Sequence, residues 1–337
     1  MKYKRVAVDT SKSVFTIHAV DDQDRAVLRR DLRRGPFIAF LAALEPTELV
    51  FEACGASHHW GREAMKHDHA VRLIPPQYVK PFRKRGKNDR ADAAALNDAA
   101  SRPDMASVPV KSEACQAEAM LLKVRALLIR QRTQLVNTIR GHAAEFGLVA
   151  AKGRGHLPDL LELAAGSAIP VAAKEALALL GAEVKRLDEQ VSGIERRLGR
   201  MHRDNETSRR LAEQPGIGIQ TALSLALTID AACFASGRHF AAWLGLTPRE
   251  HSTGGKPLLG KISKQGNEML RALLVNGAMA VIRHAKPGSR CASPWLLRLL
   301  ERKPRKVAAV ALANKMARIA WAMMARGEPY RHLPVAA

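Results

Sequence analysis

Val6-Ala7-Val8-Asp9-Thr10-Ser11-Lys12-Ser13-Val14-Phe15-Thr16-Ile17-His18-Ala19-Val20 is the stretch whose reading decides the fold. An apolar run ends on a carboxylate, a polar turn follows, and a second run of β-branched and aromatic residues begins, which predicts strands over residues 5–8 and 14–20. Asp21 to Asp24 supply turn chemistry, and residues 26–32 form a third short strand. Beyond Gly35-Pro36, the apolar residues 37–44 predict a helix, Leu49-Val50-Phe51 a buried strand, residues 60–66 a helix and residues 71–74 another strand. A last helix runs into residues 93–96. The order β-β-β-α-β-α-β-α implies a mixed sheet with helices on its faces, the arrangement of the ribonuclease-H-like fold.

The rest of the chain reads as helical. Leu, Val and Ile recur with heptad-like spacing over residues 112–146 and 172–205, broken by Gly and Pro at 152–158 and reset at Pro170, which predicts a hairpin of two long helices. The expected organisation is an α/β domain over 1–105, a helical coiled-coil spacer over 106–205 and a helical C-terminal domain over 206–337. Composition agrees: hydrophobic residues make up 47% of the 337 but aromatics only 4%, a mix that favours helices over sandwiches.

Charge narrows the partner. With 54 Lys and Arg against 32 Asp and Glu, the formal net charge is +22, for which a polyanion, nucleic acid first, is the natural ligand. No lipidation signal or unbroken apolar span points to a membrane. Cys54, Cys115, Cys233 and Cys291 lie far apart without metal-ligand spacing, and Met-Lys-Tyr-Lys leads into a strand rather than a secretory leader; a reduced, cytoplasmic setting is expected.

Asp9 and Glu52 each end a predicted strand, so both carboxylates emerge at one sheet edge, while Asp89 and Asp92, three apart at the start of a helix, share one helical face. Four converging carboxylates need cations, and an oxygen-only donor set suits Mg²⁺ or Mn²⁺, ions that assist displacement at a phosphodiester. Taken singly, each has a plainer role: Asp89 as a helix N-cap, Asp92 as a first-turn charge, Asp9 and Glu52 as polar strand ends. The basic run Arg83-Lys84-Arg85-Gly86-Lys87 just ahead of Asp89 favours catalysis, because Arg83, Lys84, Arg85 and Lys87 would hold a phosphate backbone beside the acids.

Val8-Asp9-Thr10-Ser11-Lys12, Phe51-Glu52-Ala53-Cys54-Gly55 and Lys87-Asn88-Asp89-Arg90-Ala91-Asp92-Ala93 resemble the three blocks of the DEDD transposases, whose N-terminal domain is similar to RuvC Holliday-junction resolvases. The resemblance places Asp9, Glu52, Asp89 and Asp92 at the four acidic, metal-binding positions.

Towards the C-terminus, Pro215-Gly216-Ile217-Gly218 resembles a helix-hairpin-helix turn, where Gly216 and Gly218 would offer backbone N–H groups to a phosphate. A plain turn between helices fits the same residues. Residues 245–267 run Gly-Leu-Thr-Pro-Arg-Glu-His-Ser-Thr-Gly-Gly-Lys-Pro-Leu-Leu-Gly-Lys-Ile-Ser-Lys-Gln-Gly-Asn, with Arg249, Lys256, Lys261 and Lys264 as phosphate-binding charges around a small hydroxyl. Ser252 is the chosen nucleophile; Thr253 beside it and Ser263 nearby leave the choice open, His251 is a candidate base, and a turn-forming serine is the plain alternative. This segment is similar to the C-terminal domain of the same transposases, although Thr253 stands where some relatives have serine directly before glycine.

The resemblance implies an insertion-sequence transposase or DNA invertase that cuts and rejoins donor and target DNA through a composite carboxylate–metal and serine site. It also implies, for some members, a bridge RNA as guide, for which Arg125, Arg130, Arg132 and Arg140 along one helix are candidate contacts. Exchange between two DNAs implies a dimer assembling into a tetramer. Two rival readings are a junction resolvase or nuclease using the carboxylates alone, and a noncatalytic nucleic-acid-binding protein.

Overall fold

The computed structural model describes residues 3–83, 88–256, 258–286, 289 and 293–331. Its contacts divide the chain into two compact units, Met1–Gln116 and Ala117–Ala337.

The first unit carries β1 (Arg5–Thr10), β2 (Val14–Val20), β3 (Ala26–Arg33), α1 (Arg34–Ala43), β4 (Glu48–Glu52), α2 (Ser57–Met65), β5 (Ala70–Ile74), α3 (Pro76–Val79) and α4 (Asp89–Ala100). The sheet order is β3-β2-β1-β4-β5, antiparallel across β3, β2 and β1 and parallel from β1 through β4 to β5. This is the mixed sheet read from the sequence. Alternation explains its layers, since successive side chains of a strand point to opposite faces. Val6, Val8, Leu49, Phe51 and Leu73 pack with Phe37, Leu41, Trp60 and Ala64 of α1 and α2, whereas Ala7, Val50 and Ile74 pack against Ala95, Leu96, Ala99 and Ala100 of α4. The outer strand β3 exposes Arg29, Arg30, Asp31 and Arg33, charges that discourage edge-to-edge pairing.

A buried polar bolt sets the position of α4. Asn97, 2% exposed, donates through Nδ2 to the His18 carbonyl at 2.8 Å and accepts at Oδ1 from Arg5 Nη1 at 3.0 Å. Arg5 is itself buried and pairs with Glu48 and Asp24. Removing the amide leaves desolvated partners without it, so Asn97→Ala is expected to cost about 1–3 kcal/mol, measurable by urea denaturation. An unchanged midpoint would mean that the apolar face of α4 suffices.

In the second unit follow α5 (Glu113–Glu145, continuous from the first), α6 (Leu157–Gly166), α7 (Val171–Asp204), α8 (Glu206–Ala212), α9 (Ile219–Thr228), α10 (Gly237–Trp243), β6 (Pro248–Glu250), β7 (Leu259–Ile262), α11 (Glu268–His284), α12 (Pro294–Arg302) and α13 (Arg305–Arg326). Both long helices match their predicted spans. In α7, Leu177, Val184, Leu187, Val191 and Leu198 are buried at heptad spacing. The hairpin between them is not a bare turn, however. Pro158 sits in the first turn of α6, where its missing N–H costs nothing, and Leu157, Leu160 and Ala164 of that helix pack with Ile139 and Ala143 of α5 and Leu177 and Val184 of α7.

The C-terminal part was expected to be helical with a Gly-rich loop; it holds a two-stranded antiparallel ribbon, β6–β7, among its helices. By length and hydropathy alone α13 could cross a membrane, although Lys315 and Arg318 interrupt it, so it is not an unbroken apolar span. Its buried residues Ala309, Leu312, Ala313, Met316 and Ala320 nevertheless belong to the core of this unit.

Candidate active site

β1 and β4 run parallel with Val8 opposite Phe51, so the next residues, Asp9 and Glu52, lie side by side at the carboxyl ends of their strands, still paired outward with Thr16 and Ile74. Helix α4, packed over β1, β2 and β4, delivers its first turn to the same edge. Asn88, not Asp89, caps that helix: its side chain accepts from Ala91 N at 2.7 Å. Asp89 and Asp92 then occupy the first turn, where the helix dipole favours negative charge. The capping role considered for Asp89 is thereby taken by its neighbour.

The four carboxylates feel one another. Burial, then Asp89, Asp92 and Glu52, push the Asp9 carboxyl up to about 6, and Arg83 opposes the shift. Arg83 reaches into the cluster: its Nη2 lies 3.0 Å from Glu52 Oε2 and its Nε 3.0 Å from Asp92 Oδ1. Among the described residues, no three potential ligands are gathered closely enough to hold an ion in this arrangement. The residues still fit a divalent cation by their chemistry, an all-oxygen donor set with enough excess negative charge to recruit a guanidinium. Lys84, Arg85 and Lys87, expected to hold backbone phosphate, lie outside the described residues.

Because folding raises the pKa of Asp9 above its ordinary value of 3.8, the metal-free fold is favoured while this carboxyl is protonated and loses that contribution as pH rises through about 6. A divalent cation needs the ionised form. Mn²⁺ affinity is therefore expected to fall, approaching roughly tenfold per pH unit, below about pH 6, read as the shrinking shift in melting temperature between Mn²⁺ and EDTA. A shift unchanged down to about pH 5 would contradict the coupling.

In the second unit Ser252 stands near the end of the β6–β7 hairpin. Gly254 and Gly255 both have positive φ, +54° and +75°, the pair required by a tight type I′ turn, and Lys256 N donates to Thr253 O at 3.0 Å. The hairpin base is stapled where Gly245 and Gly266 meet other backbone: a Cβ at Gly266 would lie 1.9 Å from Trp243 O, and one at Gly245 2.4 Å from Gln265 N. Arg271 fastens the crossing by donating to the carbonyls of Leu244 and Gln265. The nucleophile candidate thus sits on a braced ribbon rather than a loose loop.

Ser252 Oγ donates to Glu250 Oε1 at 2.8 Å and accepts from Leu258 N at 3.2 Å. Residues two apart on a strand share a face, a signal by which Glu250 could have been found in the sequence. His251, a candidate base by its place in the sequence, lies against Gly260, with ring atoms 3.6 and 3.7 Å from where a Cβ there would stand. Arg249 donates to Ser263 O at 3.2 Å, while Lys256, Lys261 and Lys264 are exposed. Beside the ribbon, a groove of about 1630 Å³ has a mainly apolar lining, including Val307, Val310 and Ile319, to which Lys261, Lys264, Lys306 and Arg318 add positive charge and in which Lys315 Nζ stands 4.5 Å over the Trp295 ring. Among the described residues, its lining contains no acidic one.

Other expected contacts have structural partners. Gly216, with φ +87°, packs its backbone onto α11, where a Cβ at Gly277 would lie 1.9 Å from Gly216 O, so packing alone explains this glycine; Gly218 is exposed just before α9. On α5, Arg125 pairs with Glu195, Arg132 with Asp188, and Arg140 with the carbonyls of Ala150, Ala151 and Gly153; Arg130 is exposed.

A mixed sheet whose strand ends gather carboxylates beside a helix N-terminus, on a strongly basic chain, defines the class of DNA-processing enzymes that work through acidic, cation-binding centres. Comparison with known proteins sharpens this: residues 6–146 match the DEDD transposase domain of IS110 elements, and residues 208–292 the transposase family IS116/IS110/IS902. The chain is 50% identical to transposase y4pF/y4sB of Sinorhizobium fredii over 97% of its own length and 85% of the relative's, and 40% identical to the transposase for insertion sequence element IS1111A of Coxiella burnetii over 97% and 91%. A pilin gene-inverting protein of Moraxella lacunata is 24% identical over 84% and 81%. The chain belongs to the IS110/IS116 family of insertion-sequence transposases, enzymes that cut and rejoin DNA.

Proposed function

We propose that this transposase exchanges DNA strands through a composite site in which Ser252 is the nucleophile and Asp9, Glu52, Asp89 and Asp92, in a RuvC-like domain, hold Mg²⁺ or Mn²⁺. The gathering of these carboxylates at one sheet edge is the observation that carries the reading. A divalent cation there would supply charge for the phosphoryl oxygens. The Ser252 oxygen attacks a DNA phosphorus as its hydroxyl gives up a proton, one P–O bond to the adjoining sugar breaks as the phosphoserine forms, and the departing sugar oxygen takes up a proton in exchange. Attack by the partner strand's hydroxyl reverses these changes and returns the serine, conserving bond energy for religation. The cations Lys261, Lys264, Lys306 and Arg318 along the groove beside the ribbon would hold the strand's phosphates.

Donor and target require more than one copy, so the working form is a dimer assembling into a tetramer. A bridge RNA as guide is implied by the family resemblance, and it would relieve the protein of reading bases. The internal pairing of Arg125, Arg132 and Arg140 assigns them to helix bracing, which leaves Arg130 and the exposed lysines as nucleic-acid contacts.

One observation favours a second reading. Glu250 and the Leu258 N–H engage Ser252 as a turn-forming hydroxyl would be engaged, in which case the carboxylates alone would activate water, as in a junction resolvase. Incubation of the protein with DNA carrying abutted element ends, Mg²⁺ and RNA transcribed from the element separates the two. Joined strands support the composite site, and 5′-phosphate and 3′-hydroxyl ends alone support hydrolysis.

A further inference from the structure

Arg83 belongs to the basic run expected on DNA, yet its guanidinium lies between two carboxylates of the acidic site, 3.0 Å from Glu52 and 3.0 Å from Asp92. The placement is built into the fold. Val79 and Phe82, just upstream, pack in the core beneath α4, and Arg102 lies 5.9 Å over the Phe82 ring. The two acids are the more sheltered members of the trio, with side chains 25% and 18% exposed against 35% for Arg83, so the guanidinium covers them from the solvent side. A planar fork that bridges two carboxylates is the strongest neutralisation a single side chain provides.

A divalent cation takes carboxylate oxygens at about 2.0–2.6 Å, so it competes with the guanidinium for Glu52 and Asp92 and repels its charge. We propose that Arg83 is the resident counter-cation of the metal-free site, that a divalent ion entering at Glu52 and Asp92 displaces it, and that the released guanidinium then grips a DNA phosphate at the site's edge. The proposal rests on reading the quartet as a metal site. It makes metal loading and backbone binding one coupled event: by reciprocity, a phosphate that draws Arg83 away raises metal affinity as much as metal raises affinity for the phosphate. The acids exchange a monovalent guanidinium for a divalent ion, so their negative charge is neutralised further, and the guanidinium exchanges carboxylates for a phosphate.

The test uses the full chain and two variants, Arg83→Ala and Arg83→Gln, which alter a part-exposed side chain and keep the core. Titration calorimetry with Mn²⁺ alone is expected to show about tenfold tighter binding in both variants, because no internal cation competes. Duplex DNA binding measured across a salt series with Ca²⁺ or with EDTA supplies the second readout. In the parent protein, Ca²⁺ is expected to steepen the log–log salt slope by about 0.9, the signature of one more phosphate contact, and to leave the slope unchanged in the variants. Mn²⁺ affinity equal to or weaker than the parent's in both variants, or a parent slope indifferent to Ca²⁺, would overturn the displacement. Absence of Mn²⁺ binding in the parent and the variants alike would overturn the metal reading of the quartet as well.

Discussion

Ser252→Ala is expected to abolish strand joining, with a loss on the order of 10⁴-fold or more, and to remove any covalent protein–DNA species. The size follows from what the substitution removes: not a contact but the atom that forms the new bond to phosphorus. Folding is expected to be unaffected. Ser252 is exposed, and among the described residues its hydroxyl bonds to Glu250 and to Leu258 N, on a ribbon already held by the Gly254-Gly255 turn and by the backbone crossing at Gly245 and Gly266. An inactive variant with a parental melting temperature therefore reports chemistry. Full joining activity in Ser252→Ala would instead return the reaction to the carboxylates alone.

The second large effect is expected at Asp9, and there activity and stability should move in opposite directions. Asp9→Asn keeps the shape of the side chain but removes a charge that the metal-free fold holds reluctantly, next to Asp89, Asp92 and Glu52. Strand joining should fall by at least about a thousandfold, while the metal-free protein melts at a higher temperature near neutral pH and loses the pH dependence attributed to this carboxyl. A site that trades stability for a pre-assembled charge cluster behaves in this way. Joint loss of activity and stability would indicate that Asp9 serves the fold rather than the reaction.

The sheet was legible because its physics is local. Val6, Val8, Phe15 and Ile17 alternate with residues of the other face, and Asp9 and Glu52 stand at the carboxyl ends of their strands. The same locality gave both long helices from heptads such as Leu177, Val184, Leu187 and Val191. What escaped the reading depends on residues far apart in the chain. The ribbon β6–β7 has no apolar alternation, since Pro248-Arg249-Glu250 is exposed throughout, and it is secured by the glycine crossings and by Arg271. Arg83 looks like one more member of a basic run until the fold places it against Glu52, 31 residues away in the chain. The arginines of α5 share that lesson: Arg125 and Arg132 find acids 70 and 56 residues distant, a pairing that periodicity alone does not announce.

The measurement closest to the central claim is peptide mapping by mass spectrometry of the transposase trapped during strand exchange on an end-bearing DNA substrate, after nuclease digestion. The account predicts a nucleotide linked to Ser252, formed with Mg²⁺ and missing both in EDTA and in Glu52→Gln. Efficient joining with no nucleotide on the protein, or with the nucleotide on Thr253 or Ser263, would contradict it.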